Sequence, residues 1–214
     1  MARRAPISTL RNTASLRRAP GKKPPRSITL IVCEGETEQL YLDAVRQKVE
    51  LTTAEVVLPA NNIGPAPISV VDCAINKANE KGGYDHIFCV FDRDGHESYA
   101  RARQKIKAHA TRKRAPLPIK EAISVPCFEV WVLLHFAQTD APFADCDQVV
   151  QRIRSPHLPG YTKADAAVVK SLMPKLDAAV ANATWVEGNA KDNEFNPYTS
   201  VHHVVEHLKS VAHT

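Results

Sequence analysis

Ser27-Ile28-Thr29-Leu30-Ile31-Val32-Cys33-Glu34-Gly35-Glu36-Thr37-Glu38 is the stretch whose reading decides the fold. Its first seven residues form a nearly continuous apolar run with β-branched side chains, as in a strand buried on both faces. From Thr37 to Leu51 the spacing turns helical, with Tyr41, Ala44, Val45 and Val49 on one side. Working outward, Glu55 to Leu58 reads as a second strand, ended by Pro59 and a loop with Asn61, Asn62 and Gly64. Pro67 opens a helix with Ile68, Val71, Ile75 and Ala78 on one face, and Gly82-Gly83 stops it. Tyr84 to Phe91 is another buried-type strand, followed by a loop and a basic helix over 97–113. Ile119 to Ser124 is a fourth strand, and Pro126 starts a helix from Cys127 to Phe136.

Strand alternating with helix predicts an α/β fold: a mostly parallel four-stranded sheet flanked by helices. Beyond residue 140 the pattern becomes a helical C-terminal extension, with helices over 145–154, 163–172, 174–184 and 200–212. The last of these places Val201, Val204, Leu208 and Val211 on one face. Residues 1–25 are rich in Arg, Pro, Ser and Thr without hydrophobic periodicity, so a disordered basic arm is expected there. The folded domain is expected over 26–214.

Hydrophobic content of 44% and charged content of 24% over 214 residues are those of an ordinary globular chain. No apolar run reaches the roughly 18 residues of a membrane span, and no apolar segment follows the basic start as a secretory signal requires. The five cysteines (Cys33, Cys73, Cys89, Cys127, Cys146) are odd in number and scattered without CxxC spacing. That usage speaks against a disulfide framework or a zinc ribbon and suits the cytosol.

The net charge of +5 is unevenly spread. Residues 1–26 hold eight Arg or Lys, and residues 101–114 hold seven more, with no acid in either segment. Removing those 15 from the 28 basic residues leaves 13, set against 23 acids. Two cationic segments on an acidic body point to nucleic acid, RNA or DNA, as partner. Arg101, Lys105, Arg112 and Lys113 are the candidate backbone contacts of the second segment.

In an open parallel sheet, ligands gather at the carboxyl ends of the strands. Two acidic loops fall there. Glu34-Gly35-Glu36-Thr37-Glu38 follows the first strand, and Asp92-Arg93-Asp94-Gly95 follows the strand from Tyr84. Asp92 and Asp94 are two residues apart in an extended turn, so both can face one ion. Glu34 would complete an oxygen-rich set suited to Mg²⁺ or Mn²⁺. Glu36 and Glu38, in a first helical turn, read as acids that favour the helix dipole. Glu129, also in a first turn, is either a further ligand or substrate-orienting group, or another dipole acid. Arg93 pairs with a phosphate or with Asp94. Lys163, in the turn from Gly160, is a candidate for neutralising transition-state charge and for binding nucleic acid. Trp131 reads as core and His135 as a hydrogen-bonded packing residue. His202, His203 and His207 read as surface histidines, having no nearby carboxylate motif.

A hydrophobic strand ending in Glu-Gly and a later one ending in Asp-x-Asp resemble the Toprim domain. Within that superfamily the chain resembles the RloB-like family, often encoded in bacterial restriction and phage-defence loci. The matching stretches are Ile31 to Glu38 with Tyr41, Phe91 to Gly95, Ser124 to Phe136 and Asn196 to His202. The resemblance implies that Glu34 acts as general acid or base or as a metal ligand, and that Asp92 and Asp94 hold Mg²⁺ (or Mn²⁺). It further implies a metal-dependent nuclease, and an AAA-type ATPase as partner protein. No Walker A motif occurs in this chain. The alternatives are a non-catalytic Toprim interaction module, and a phosphohydrolase of small nucleotides using the same acids.

Overall fold

The computed structural model describes residues 27–60, 66–93, 95–192 and 195–212. The arm expected over 1–25, and Asp94, lie outside the described residues.

Among the described residues, five strands form one sheet in the order β2-β1-β3-β4-β5. They are β1 (Thr29–Cys33), β2 (Ala54–Val57), β3 (His86–Asp92), β4 (Ile119–Val125) and β5 (Tyr198–Thr199). The first four run parallel, as expected. The four-stranded expectation is corrected by β5, two residues that pair antiparallel with Ser124 and Val125. So short a strand has no period of its own. It exists because the chain returns past the free edge of β4.

Helices α1 (Glu36–Lys48), α2 (Pro67–Lys81) and α3 (Tyr99–Ala110) connect the parallel strands. Pro67 occupies the first turn of α2, and Gly82, at φ 62°, ends it. That left-handed φ costs a glycine little. Leu30, Val32, Ile87, Cys89, Phe91, Ile119 and Ile123 pack under α2 and α3. Ile31, Cys33, Phe88, Val90 and Ala122 face the other layer. Each central strand therefore buries both alternating sets, which is why it reads as a continuous apolar run.

The second layer holds α1, α4 (Glu129–Leu133), α5 (Cys146–Arg152), α6 (Ala166–Leu172), α7 (Leu176–Asn189) and α8 (Val201–Ala212). Asp145 caps α5 by accepting from the Gln148 N–H at 2.9 Å, and Asp165 caps α6 through Ala167 and Val168. The α8 face is as expected, with Val201, Val204 and Leu208 buried. Full burial of each such side chain contributes about 1.5–3 kcal/mol. The helix expected over Cys127–Phe136 is shorter at five residues.

One expectation fails outright. Cys127 and Cys146 form a disulfide, with Cα atoms 5.7 Å apart, while Cys33, Cys73 and Cys89 are free. The two cysteines lie 19 positions apart in sequence. Only the fold of the chain between α4 and α5 brings them together.

Candidate metal centre

The carboxyl ends of β1, β3 and β4 converge, and each delivers an acid or the backbone that holds one. Glu34 follows β1. Its N–H donates to Val90 O at 3.0 Å, and its Oε2 accepts from the Asp92 N–H at 3.0 Å. Asp92 ends β3. Its Oδ2 accepts from the Phe128 N–H, just past β4, at 3.0 Å. Its Oδ1 is enclosed without a hydrogen-bond partner among the described residues. A buried carboxylate oxygen left without a donor is costly unless something positive meets it.

Glu38 and Glu129 close the cluster. Glu38, 6% exposed, turns back from α1 over Gly35. Burial pushes its carboxyl up to about 7, and the nearby charges of Glu129 and Glu34 add to the rise; Lys163 and the Glu38 backbone N–H oppose it. Asp92 is also held well above the ordinary carboxylate range. Burial is the main cause, followed by the charge of Glu38, with Glu129 and Glu34 adding to it. Glu38 and Asp92 therefore resist ionising together.

Glu129, 2% exposed, has its Oε1 bonded to the Tyr161 hydroxyl at 3.2 Å and to Lys163 Nζ at 3.0 Å. Its Oε2 lies 3.1 Å from Cys146 Sγ. The turn that carries Tyr161 and Lys163 is fastened to the start of α1, where Thr37 Oγ1 accepts from the Ala164 N–H at 3.1 Å.

Glu34, Asp92 and Glu129 thus come together. Of the two first-turn acids read as dipole groups, Glu36 is exposed and Glu38 belongs to the cluster. The Glu34-x-x-x-Glu38 spacing across a glycine was the available signal, but a first-turn glutamate looks the same in either role. Tyr161 gave no signal of its own. Arg93 is half-buried and donates its N–H to Ser124 O at 2.9 Å. Lys163 is placed on Glu129.

The basic segment does not ring the cluster. Arg101 lies near the start of α3, at the acidic end of the sheet. Arg112 and Lys113 follow its last turn, on the way back to the start of β4. A helix of 12 residues is ~18 Å long. Lys105 pairs with Asp72, Arg103 pairs through two nitrogens with Glu121, and Arg112 meets His109 Nε2 at 2.8 Å.

Elsewhere, His135 is a packing residue as expected, bonded to the Tyr41 hydroxyl at 2.7 Å and to Trp131 O at 3.0 Å. Trp131 is fully buried core. His202 is not at the surface: it is 1% exposed and bonded to Glu187 at 3.1 Å, as is His203. His207 turns inward to Thr29 Oγ1 at 2.9 Å.

The carboxylates suit a hard divalent cation. They offer oxygens only, and the orphaned Asp92 Oδ1 is an acceptor that such an ion would satisfy. No helix among the described residues is long and apolar enough to cross a membrane. The profile of one protein family, described as RloB-like protein, matches residues 29–208. No curated protein and no solved structure matches the chain.

Proposed function

This chain belongs to the RloB-like protein family, and from that premise we propose that it is a Mg²⁺- or Mn²⁺-dependent nuclease with a Toprim-type centre. The observation that carries the reading is Asp92, half-buried at a strand end beside Glu34, Glu38 and Glu129 with one enclosed oxygen unmatched. Asp92, Glu34 and Glu38 would hold the cation, with Asp94 as the further ligand that the Asp-x-Asp spacing implies. When bound, the ion supplies charge for the scissile phosphate and lowers the pKa of a water.

The chain's own residues do the rest. The Phe128 N–H orients Asp92, and the Asp92 N–H orients Glu34. Glu129 would add its Oε2 to the cation as a further ligand, and Lys163, 56% exposed at its side chain, offers an ammonium to the phosphate from the rim. Arg101 and other exposed cations of α3 would bind the nucleic-acid backbone without reading its sequence. A role in phage defence and an AAA-type ATPase partner belong to the same proposal by family resemblance, and a cytoplasmic place by the odd, scattered cysteines.

The test is Mg²⁺ and Mn²⁺ titration calorimetry on wild type and Asp92→Asn, beside cleavage of mixed RNA and DNA. Cation binding and cleavage that are both lost in the variant support the reading. Equal behaviour of the two proteins, with no cation bound, would refute it.

A further inference from the structure

We propose that Cys127 and Cys146 form a thiol–disulfide switch that sets whether Glu129 is open to the divalent cation; this rests on the cation site proposed above. Both sulfurs sit in the wall of the acidic cluster. Cys127 precedes Phe128, whose N–H holds Asp92. Cys146 Sγ lies 3.1 Å from Glu129 Oε2 and 3.5 Å from Lys163 Nζ.

The two oxygens of Glu129 are treated differently. Oε1 already accepts from Tyr161 and pairs with Lys163. Oε2 faces Cys146, and in the disulfide that sulfur carries no hydrogen to donate. The lone pairs of Oε2 therefore stay open to a cation while the pair is oxidised.

Reduction changes that one contact. A thiolate of a dithiol reductant attacks the half-buried Cys146 sulfur, the S–S bond breaks, and Cys127 leaves and takes a proton. The second thiol of the reductant then displaces Cys146, which is released and protonated. Two protein thiols replace the disulfide, and the reductant ends as its own disulfide, having given up two electrons and two protons. The Cys146 thiol now donates to Glu129 Oε2 across the separation already present. With both oxygens occupied, Glu129 leaves the cation site. The oxidised chain is the competent form and the reduced chain the resting one. A cytosolic disulfide is more often such a sensor than a staple.

The test is Mn²⁺ calorimetry on the full chain, oxidised and phosphine-reduced, with thiols counted by alkylation and mass. Mn²⁺ prefers oxygen to thiolate ligands, so the free cysteines do not compete for it. The oxidised protein should bind about tenfold more tightly, the scale of one hydrogen bond to a charged group. Cys146→Ala, which has no donor, should bind like the oxidised form with or without reductant. Cys146→Ser, whose hydroxyl donates, should bind like the reduced form. Cys127→Ser, which keeps the Cys146 thiol uncrosslinked, should also match the reduced form and serves if an alanine at 146 fails to fold. Equal affinity in both wild-type states, or in the Ala and Ser variants, overturns the switch and leaves the cation site standing. Thiols that stay free under oxidised glutathione also overturn it. No Mn²⁺ binding by the oxidised wild type overturns the site itself.

Discussion

Gly35 lies beneath the Glu38 carboxylate, so that a Cβ at Gly35 would stand 2.8 Å from Glu38 Oε2. The glycine is extended, at φ −130° and ψ 170°, a conformation open to any residue. Close approach, and not backbone freedom, therefore explains it. Gly35→Ala should leave the fold intact but push Glu38 off the cluster, lowering Mn²⁺ affinity about tenfold, or ~1.4 kcal/mol. Calorimetry measures the affinity, and an unchanged value would remove Glu38 from the site.

Asp92→Asn removes a buried charge and keeps an oxygen for the Phe128 N–H. In the presence of a chelator the variant should be more stable than wild type by ~1–2 kcal/mol, because no uncompensated charge remains. Urea unfolding with and without Mn²⁺ checks this. The wild type should gain stability on adding the ion and the variant should not.

Lys163→Met leaves Glu129 buried with only the Tyr161 hydroxyl on Oε1. The ammonium is largely exposed, so its loss should cost only about 1 kcal/mol without cation. Mn²⁺ should narrow that gap, since it replaces the missing positive charge. Thermal melts of the two proteins decide it, and a gap that widens with Mn²⁺ would contradict the placement.

His135 is held down to about 4 from its ordinary 6.5, chiefly by burial, with the charge of Lys175 adding; hydrogen bonds to the Trp131 and Val132 backbone oppose the shift. Its folded pKa is depressed, so the unfolded chain binds the proton first as pH falls. Stability is full above 6.5 and is lost as pH drops toward 4, by about 3 kcal/mol from this group. His135→Gln should flatten that slope in urea unfolding measured across the window.

Arg101 is exposed near the start of α3, whereas Lys105 is paired with Asp72. Arg101→Ala should reduce the slope of log affinity for nucleic acid against log salt by ~1, and Lys105→Ala by less. Filter binding across a salt series measures both. Equal effects would mean that Lys105 leaves Asp72 on binding.

Much of this was legible in the chain itself. The apolar runs ending in Glu34 and Asp92 fixed parallel strands buried on both faces, and strand ends are where such sheets hold ligands. Pro67 and Gly82 mark helix ends through local backbone chemistry. Such features act within a few residues, so the order of residues is enough to specify them.

The remainder depended on segments distant in sequence. Glu38 and Glu36 occupy the same helical turn, and only the fold, which lays Glu38 over Gly35 within electrostatic reach of Glu129 and Lys163, separates the buried acid from the exposed one. The two residues of β5, the inward turn of His202 and the Cys127–Cys146 bond likewise follow from chain return. Periodicity and capping determined the strands, the helices and the place of the acids along the chain. Burial and proximity, which no local pattern encodes, decided which acids share one enclosed site and which sulfur stands against Glu129.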